Sequence, residues 1–428
     1  MSHIPAAHFE EITPTISRMK QLNLKAAFLH SGGPAPGANR VLGGAAKQFL
    51  DRHIPVIGFF NGYEFLQELP PQDFRPGRQF VEIDTEVLSR AIDANGFILR
   101  TARANPGKQV RSLDDLDNPE RTKQLDRILD TLEYLRVGAL ISIGGDDTLK
   151  TANYLNEMCK KRLAKKPDLF FQNAIIHVPK TIDNDYYGIP WTFGYFTAAE
   201  AAGRIVRGLY DDAKATNCYH VIELMGRKAG WYTAAASIFA RGTKAIIPED
   251  YEGKKDFSFE QLAQDLIVLV LKRERIGKGY GVFCIAEGLA DLLPEEEKEA
   301  IEKDRFGNLR LAEAKIGERV AKKLEELYKE KTGKKKSFKP QIAGYETRQN
   351  PPSLYDVLLT SQLGVGAYRL IEQGRFGQMV TVRDNLEIDG IPFDELIDAE
   401  TLKVRNRSID IGGDFYRLLR SIEETFFE

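Results

Sequence analysis

Ala174-Ile175-Ile176-His177-Val178 runs directly into Pro179-Lys180-Thr181-Ile182-Asp183-Asn184-Asp185. The first five residues form a short apolar run, the pattern of a buried strand. The next seven deliver an ammonium, a hydroxyl and two carboxylates, two residues apart, to that strand's C-terminal tip. Open α/β sheets place ligand chemistry at such tips, and folding alone gives little reason to gather so many ionic groups there. The chain does the same upstream, where Ala139-Leu140-Ile141-Ser142-Ile143 leads into Gly144-Gly145-Asp146-Asp147-Thr148. Two strands that end in carboxylates predict an α/β protein with its chemistry at strand ends.

The chain up to about residue 290 obeys the same grammar. Ala26–His30, Val56–Phe60, His220–Leu224, Ala245–Ile247 and Val282–Ala286 read as further strands. Between the strands, apolar residues recur every three or four positions, as at Leu125, Ile128, Leu132 and Leu135, which is helical spacing. That alternation predicts parallel sheets covered by helices. Residues 291–337 differ: they are dense in charge, end in Lys334-Lys335-Lys336, and read as a solvated helix and loop.

With 428 residues, the chain suits two large domains or three small ones. Lys+Arg 60 against Asp+Glu 62 leaves a net charge of −2, so no global field favours nucleic acid or a membrane surface. An anionic ligand therefore needs a local cluster of cations. Cys159, Cys218 and Cys284 are too few and scattered for a disulfide framework, and they suit a reducing compartment. No His/Cys spacing fits a zinc site. The acidic N-terminus lacks an apolar signal core, and the longest aliphatic run, Leu266–Leu271, is far too short to span a bilayer. These features predict a cytoplasmic protein.

Ser31-Gly32-Gly33-Pro34-Ala35-Pro36-Gly37-Ala38-Asn39 comes after the first strand and opens a helix. Its glycines and free N–H groups suit a phosphate or a plain tight turn, and Gly33 is a candidate contact. Asp146 suits Mg²⁺, a hard ion that takes carboxylates and phosphate oxygens. Asp147 either joins that chemistry or caps the next helix. In the third loop Asp183 is the candidate general base and Asp185 a metal-side carboxylate. Lys180 is a compact cation able to neutralise a phosphoryl group in flight. Met225-Gly226-Arg227, Glu249 and Tyr345-Glu346-Thr347-Arg348 gain weight only as members of this set.

In this order the motifs resemble the phosphofructokinase family over roughly residues 25–382. The resemblance implies two doubly wound, Rossmann-like parallel-sheet domains with the active site in the cleft between them. Residues 1–193 plus about 347–400 would take pyrophosphate and Mg²⁺; 194–346 plus the C-terminal segment would take the sugar phosphate. It also implies Asp183 as the base for the C1 hydroxyl of fructose 6-phosphate, and Asp146 as holder of Mg²⁺ with Asp185 assisting. Thr181, Met225, Gly226, Arg227 and Glu249 would position the sugar. Tyr345 and Arg348 would hold its 6-phosphate, and Arg103 would meet the donor phosphates.

The pair Asp147 and Lys180 is similar to the pyrophosphate-dependent branch, since ATP-using members typically carry glycine at both positions. A carboxylate about 4 Å from a phosphate opposes it by roughly 4 kcal/mol at an effective dielectric near 20, about a thousandfold in binding. Asp147 would thus repel a nucleotide's inner phosphate, while Lys180 would stabilise departing inorganic phosphate. The resemblance then implies a reversible step of glycolysis and gluconeogenesis by a homodimer or homotetramer. An ATP-dependent enzyme and a noncatalytic regulatory subunit are the rivals. Two departures stand out. Pro34 replaces an aspartate common in ATP-dependent members. Cys218 falls where those members present an arginine across a subunit interface, and Lys339 falls at the position of a second such arginine.

Overall fold

The computed structural model describes residues 13–94, 96–166, 174–252, 257–299, 301–302 and 311–423. Eleven strands fall into two sheets: β1 (Lys25–His30), β2 (Val56–Phe59), β3 (Phe80–Ile83), β4 (Val137–Gly144), β5 (Ala174–Pro179), β6 (Tyr219–Leu224), β7 (Lys244–Ile246), β8 (Gly281–Ala286), β9 (Phe338–Ala343), β10 (Gln378–Val382) and β11 (Ile388–Pro392). The first sheet has the order β11-β10-β5-β4-β1-β2-β3, and the second β7-β8-β6-β9.

Every residue of β4 and β5 is buried, as expected of parallel strands covered on both faces. The two strands pair in parallel register and finish together, Gly144 opposite Pro179. Only the margins of this sheet run antiparallel, β2 with β3 and β10 with β11. The second sheet is parallel throughout. The helix Pro119–Tyr134 buries Leu125, Ile128 and Leu132, the stripe its spacing predicts.

All seven expected strands are present, with ends displaced by at most two residues. The sequence pattern does not single out the other four. Of these, β3, β9 and β11 are sheet edges with exposed or half-exposed positions, so burial does not impose an apolar run. The charge-dense stretch contains a correction. Its helix Ile316–Thr332 is not merely solvated, because Ile316, Val320, Ala321, Leu324, Leu327 and Tyr328 enter the core beside the second sheet. Residues 303–310 of that stretch lie outside the described residues.

The chain forms two compact units. One draws on the described residues of Met1–Gly33, Asn39–Pro179 and Thr360–Val404, the other on Pro34–Ala38, Lys180–Leu359 and Arg405–Glu428. The chain therefore passes between units at Pro179 and Leu359, where the sequence suggested 193 and about 347. The difference has a physical source in the second unit. Lys180 bridges Phe193, and Tyr186 bridges Asn406, so the carboxylate turn belongs with the second sheet rather than with the strand that delivers it.

Candidate functional site

In the first unit, hydrogen bonds fasten the glycine loop to the segment that carries Arg103. Ser31 Oγ and Gly32 N both donate to Ala102 O, at 3.1 and 3.0 Å, and Thr101 Oγ1 donates to Gly32 O at 2.7 Å. Gly33 and the exposed Arg103 thus sit on one stitched element. Next, β4 ends at Gly144, and Gly145 is the N-cap of the helix Asp146–Lys165 with no side-chain cap bond. Asp146 and Asp147 occupy that helix's first turn, where carboxylates meet the positive end of the helix dipole. The capping alternative for Asp147 therefore does not hold. Its Oδ1 instead lies 3.3 Å from Lys150 Nζ, and its side chain is 50% exposed.

In the second unit, Lys180 is only 3% exposed and Asp185 7%, while Asn184 is fully buried. Thr181 Oγ1 accepts from Asp183 N at 3.0 Å. Asn184 takes a left-handed conformation, with φ 57°, which asparagine tolerates better than most residues. Its Oδ1 accepts from Thr192 N at 2.9 Å, so the turn is held from inside.

The Met225–Arg227 loop meets this turn: Arg227 N donates to Asp183 Oδ2 across a long 3.5 Å. Gly226 adopts φ 121°, which a side chain would strain. A Cβ at Gly288 would fall 2.5 Å from Arg227 O, so that glycine lets the end of β8 approach the loop. Beside it, Glu287 Oε1 accepts from Gly226 N at 3.3 Å. Burial, reinforced by the nearby Asp183 and Glu223, pushes the Glu287 carboxyl up to about 7. Tyr232 Oη donates to Thr347 Oγ1 at 2.8 Å, and Met225 packs against Gly344. Those contacts tie the loop to Tyr345–Arg348. There the Arg348 guanidinium lies 5.1 Å from the ring of Tyr345, itself 74% exposed.

Asp183, Thr181, Met225, Gly226, Arg227, Tyr345 and Arg348 are thus joined by contacts within one unit. Glu249 is held by backbone amides. Its Oε1 accepts from Gly230 N and Ile409 N, both at 3.0 Å, and its Oε2 from Gly230 N at 3.1 Å. Being 4% exposed, it serves as an anionic anchor at the start of the helix Trp231–Ala240. Glu287 joins it as an acidic candidate. Its signal was visible in the Glu287-Gly288 pair at a strand end. Lys339 is engaged elsewhere as well, 3.3 Å from Asp212 Oδ2, which also meets His220 Nε2 at 2.8 Å. Asp212, Cys218 and His220 hold their ligand atoms within 4.8 Å of one another, but the Lys339 ammonium already neutralises that carboxylate.

The carboxylate turn lies at a strand tip, where open α/β sheets place ligand chemistry, and it meets the glycine-shaped Met-Gly-Arg loop within one unit. The chain belongs to the phosphofructokinase family, whose model, described as PFK: Phosphofructokinase, matches residues 25–371. It is 32% identical to a pyrophosphate--fructose 6-phosphate 1-phosphotransferase of Thermotoga maritima over 92% of this chain and 88% of that one. An ATP-dependent 6-phosphofructokinase of Spirochaeta thermophila is 31% identical over 88% of this chain and 91% of its own. Among solved structures, the pyrophosphate-dependent phosphofructokinase of Marinobacter aquaeolei shares the fold with a TM-score of 0.64 at 19% identity, covering 93% of this chain and 91% of its own. The phosphofructokinase of Saccharomyces cerevisiae gives 0.67 at 20% identity, over 87% of this chain and 45% of that chain.

Proposed function

We propose that this protein transfers a phosphoryl group reversibly from pyrophosphate to the C1 hydroxyl of fructose 6-phosphate, giving fructose 1,6-bisphosphate and inorganic phosphate. The observation that carries the donor is the buried Lys180, placed directly before the carboxylate turn. Little water screens a buried ammonium, so its field on a phosphate is strong. Relatives in Thermotoga maritima and Naegleria fowleri bear the name of this activity.

In this mechanism Asp183 accepts the C1 hydroxyl proton as the oxygen attacks in line. Lys180 carries the charge that collects on the departing phosphate, and Arg227 spreads over the phosphoryl group in transit. Arg348 and Tyr345 hold the 6-phosphate, while Thr181, Met225 and Gly226 fix the sugar. Ionised Glu287 accepts a sugar hydroxyl. Gly33 and Arg103 meet the donor. Asp146 and Asp185 are hard oxygen donors of the kind Mg²⁺ prefers, and they would hold it. Bound Mg²⁺ would neutralise charge on the donor phosphates. A homodimer or homotetramer belongs to this proposal.

ATP as donor is a second reading, and one observation favours it. Asp147 is half exposed and paired with Lys150, so its repulsion of a phosphate falls from roughly 4 toward about 1 kcal/mol as water replaces protein around it. Exclusion of ATP then rests more on Lys180 and on shape than on Asp147 alone. The reverse reaction tests the proposal. With Mg²⁺, fructose 1,6-bisphosphate and inorganic phosphate, and no nucleotide, fructose 6-phosphate and pyrophosphate should form together. A strict requirement for ADP would refute the donor.

A further inference from the structure

The segment from Arg405 onward lies beyond the stretch that matches the family, residues 25–371, yet it is part of the second unit and reaches the catalytic turn. Asn406 bridges Tyr186 in antiparallel fashion. Arg407 N donates to Asp185 O at 2.7 Å, and Arg407 Nη2 donates to Asn184 O at 3.3 Å. The same short segment touches the Met-Gly-Arg side. Lys228 Nζ donates to Asn406 Oδ1 at 3.4 Å, and Trp231 Nε1 donates to Arg407 O at 3.1 Å.

The guanidinium itself is held by aromatic rings, 4.6 Å from Trp231 and 5.8 Å from Trp191. Those rings meet edge to face at 6.2 Å. Phe415, on the helix Asp414–Ile422, packs on Trp231 at 4.8 Å. That helix is fixed in turn: Arg420 pairs with Glu423 at 2.6 Å and Tyr416 Oη donates to Asp250 at 2.8 Å.

We infer that Arg407 is a positioning residue for the catalytic turn: stacked on two tryptophans, it pins the backbone of Asn184 and Asp185 and so sets the aim of Asp183. Two like charges two residues apart repel, and a left-handed residue between them strains the chain. The turn keeps its shape only if its surroundings impose it. Arg407 supplies an external hold, with one backbone donor on Asp185 and one guanidinium donor on Asn184. Lysine is a poor substitute, because it lacks both the planar fork and the stacking face.

The assignment of Asp183 as base rests on the reaction proposed above, so the assay uses whichever of pyrophosphate or ATP sustains wild-type turnover. In the full chain, Arg407→Ala and Arg407→Lys should each lower kcat by about 10- to 100-fold, since a small misplacement of a reacting group carries a cost of that order. KM for fructose 6-phosphate should stay within about threefold, because the 6-phosphate contacts and all proposed sugar contacts except Thr181 lie on other loops. The chain has two tryptophans, both against Arg407, so intrinsic fluorescence reports on this cluster alone. Arg407→Ala should make it more accessible to acrylamide. If the alanine variant does not fold, the lysine variant carries the test. Wild-type kcat in Arg407→Lys, or a rise confined to KM, would overturn the inference. A wild-type protein inert with both donors would instead sink the proposed reaction, leaving the quenching comparison to judge Arg407.

Discussion

The turns after β4 and β5 leave strands that finish in register, and each presents two aspartates, yet they are built on different principles. After β4 the carboxylates ride the first turn of a regular helix, with Asp147 50% exposed and paired to Lys150 on the same helix. After β5 the chain is irregular and closed in. Lys180 is 3% exposed, Asp185 7% and Asn184 not at all, with hydrogen bonds from Asp183 N and Thr192 N consumed inside the turn. A charge at an open helix start is screened and can be changed at modest cost. A buried turn is rigid, and its charges act at nearly full strength. In the proposed reaction the first would select the donor and the second would carry the chemistry.

The largest effect should come from the closed turn. Asp183→Ser should reduce kcat by roughly 10³-fold or more, the upper range for loss of a positioned base, measured as initial rate at saturating substrates. Far-UV circular dichroism should stay unchanged. Residual activity within tenfold of wild type would mean that the turn is not the catalytic one. An active parent with a near-dead variant would exclude a sugar-phosphate-binding subunit without turnover.

Combining the turns sharpens the contrast. Asp147→Gly with Lys180→Gly should raise the ratio of ATP to pyrophosphate turnover by about 100-fold, most of it contributed by the buried Lys180. Asp147→Gly alone should shift that ratio by only about fivefold, consistent with a screened repulsion near 1 kcal/mol. Equal contributions from the two positions would erase the distinction between an open and a closed charge.

A smaller effect concerns pH. Glu287 stands at about 7 against an ordinary 4.5, first because burial disfavours its charge. Between those values the folded protein binds more protons at this group than the unfolded chain does. Its contribution to stability is therefore complete below about pH 4.5 and lost as pH rises through about 7. Glu287→Gln should flatten that part of the stability profile in urea titrations. The same variant should remove a rise in kcat/KM for fructose 6-phosphate centred near the same pH. Glu223 also stands at about 7 and adds to the Glu287 shift, so the observed midpoint belongs to the pair.

The strand tips were legible because buried parallel strands must be apolar along their whole length, leaving their polar ends conspicuous. Edge strands β3, β9 and β11 escape that requirement, and so their pattern gives no signal. Local pattern also left two glutamates at comparable places undistinguished. Glu249 and Glu287 both come after a strand, but the partner that claims Glu249 is the amide of Ile409, 160 residues away. Arg407 was invisible for the same reason. Its meaning depends on Asn184 and Trp231, 223 and 176 residues distant, and no spacing rule connects them. In the helix Ile316–Thr332, dense charge masked an apolar stripe at 316, 320, 324 and 327.

The most direct measurement is a side-by-side donor assay on the purified wild-type chain. With Mg²⁺ and fructose 6-phosphate fixed, pyrophosphate and ATP are supplied separately as the sole phosphoryl donor. The buried ammonium before the carboxylate turn predicts a kcat/KM for pyrophosphate at least about 100-fold above that for ATP. Equal use of the two donors, or a preference for ATP, would contradict the account.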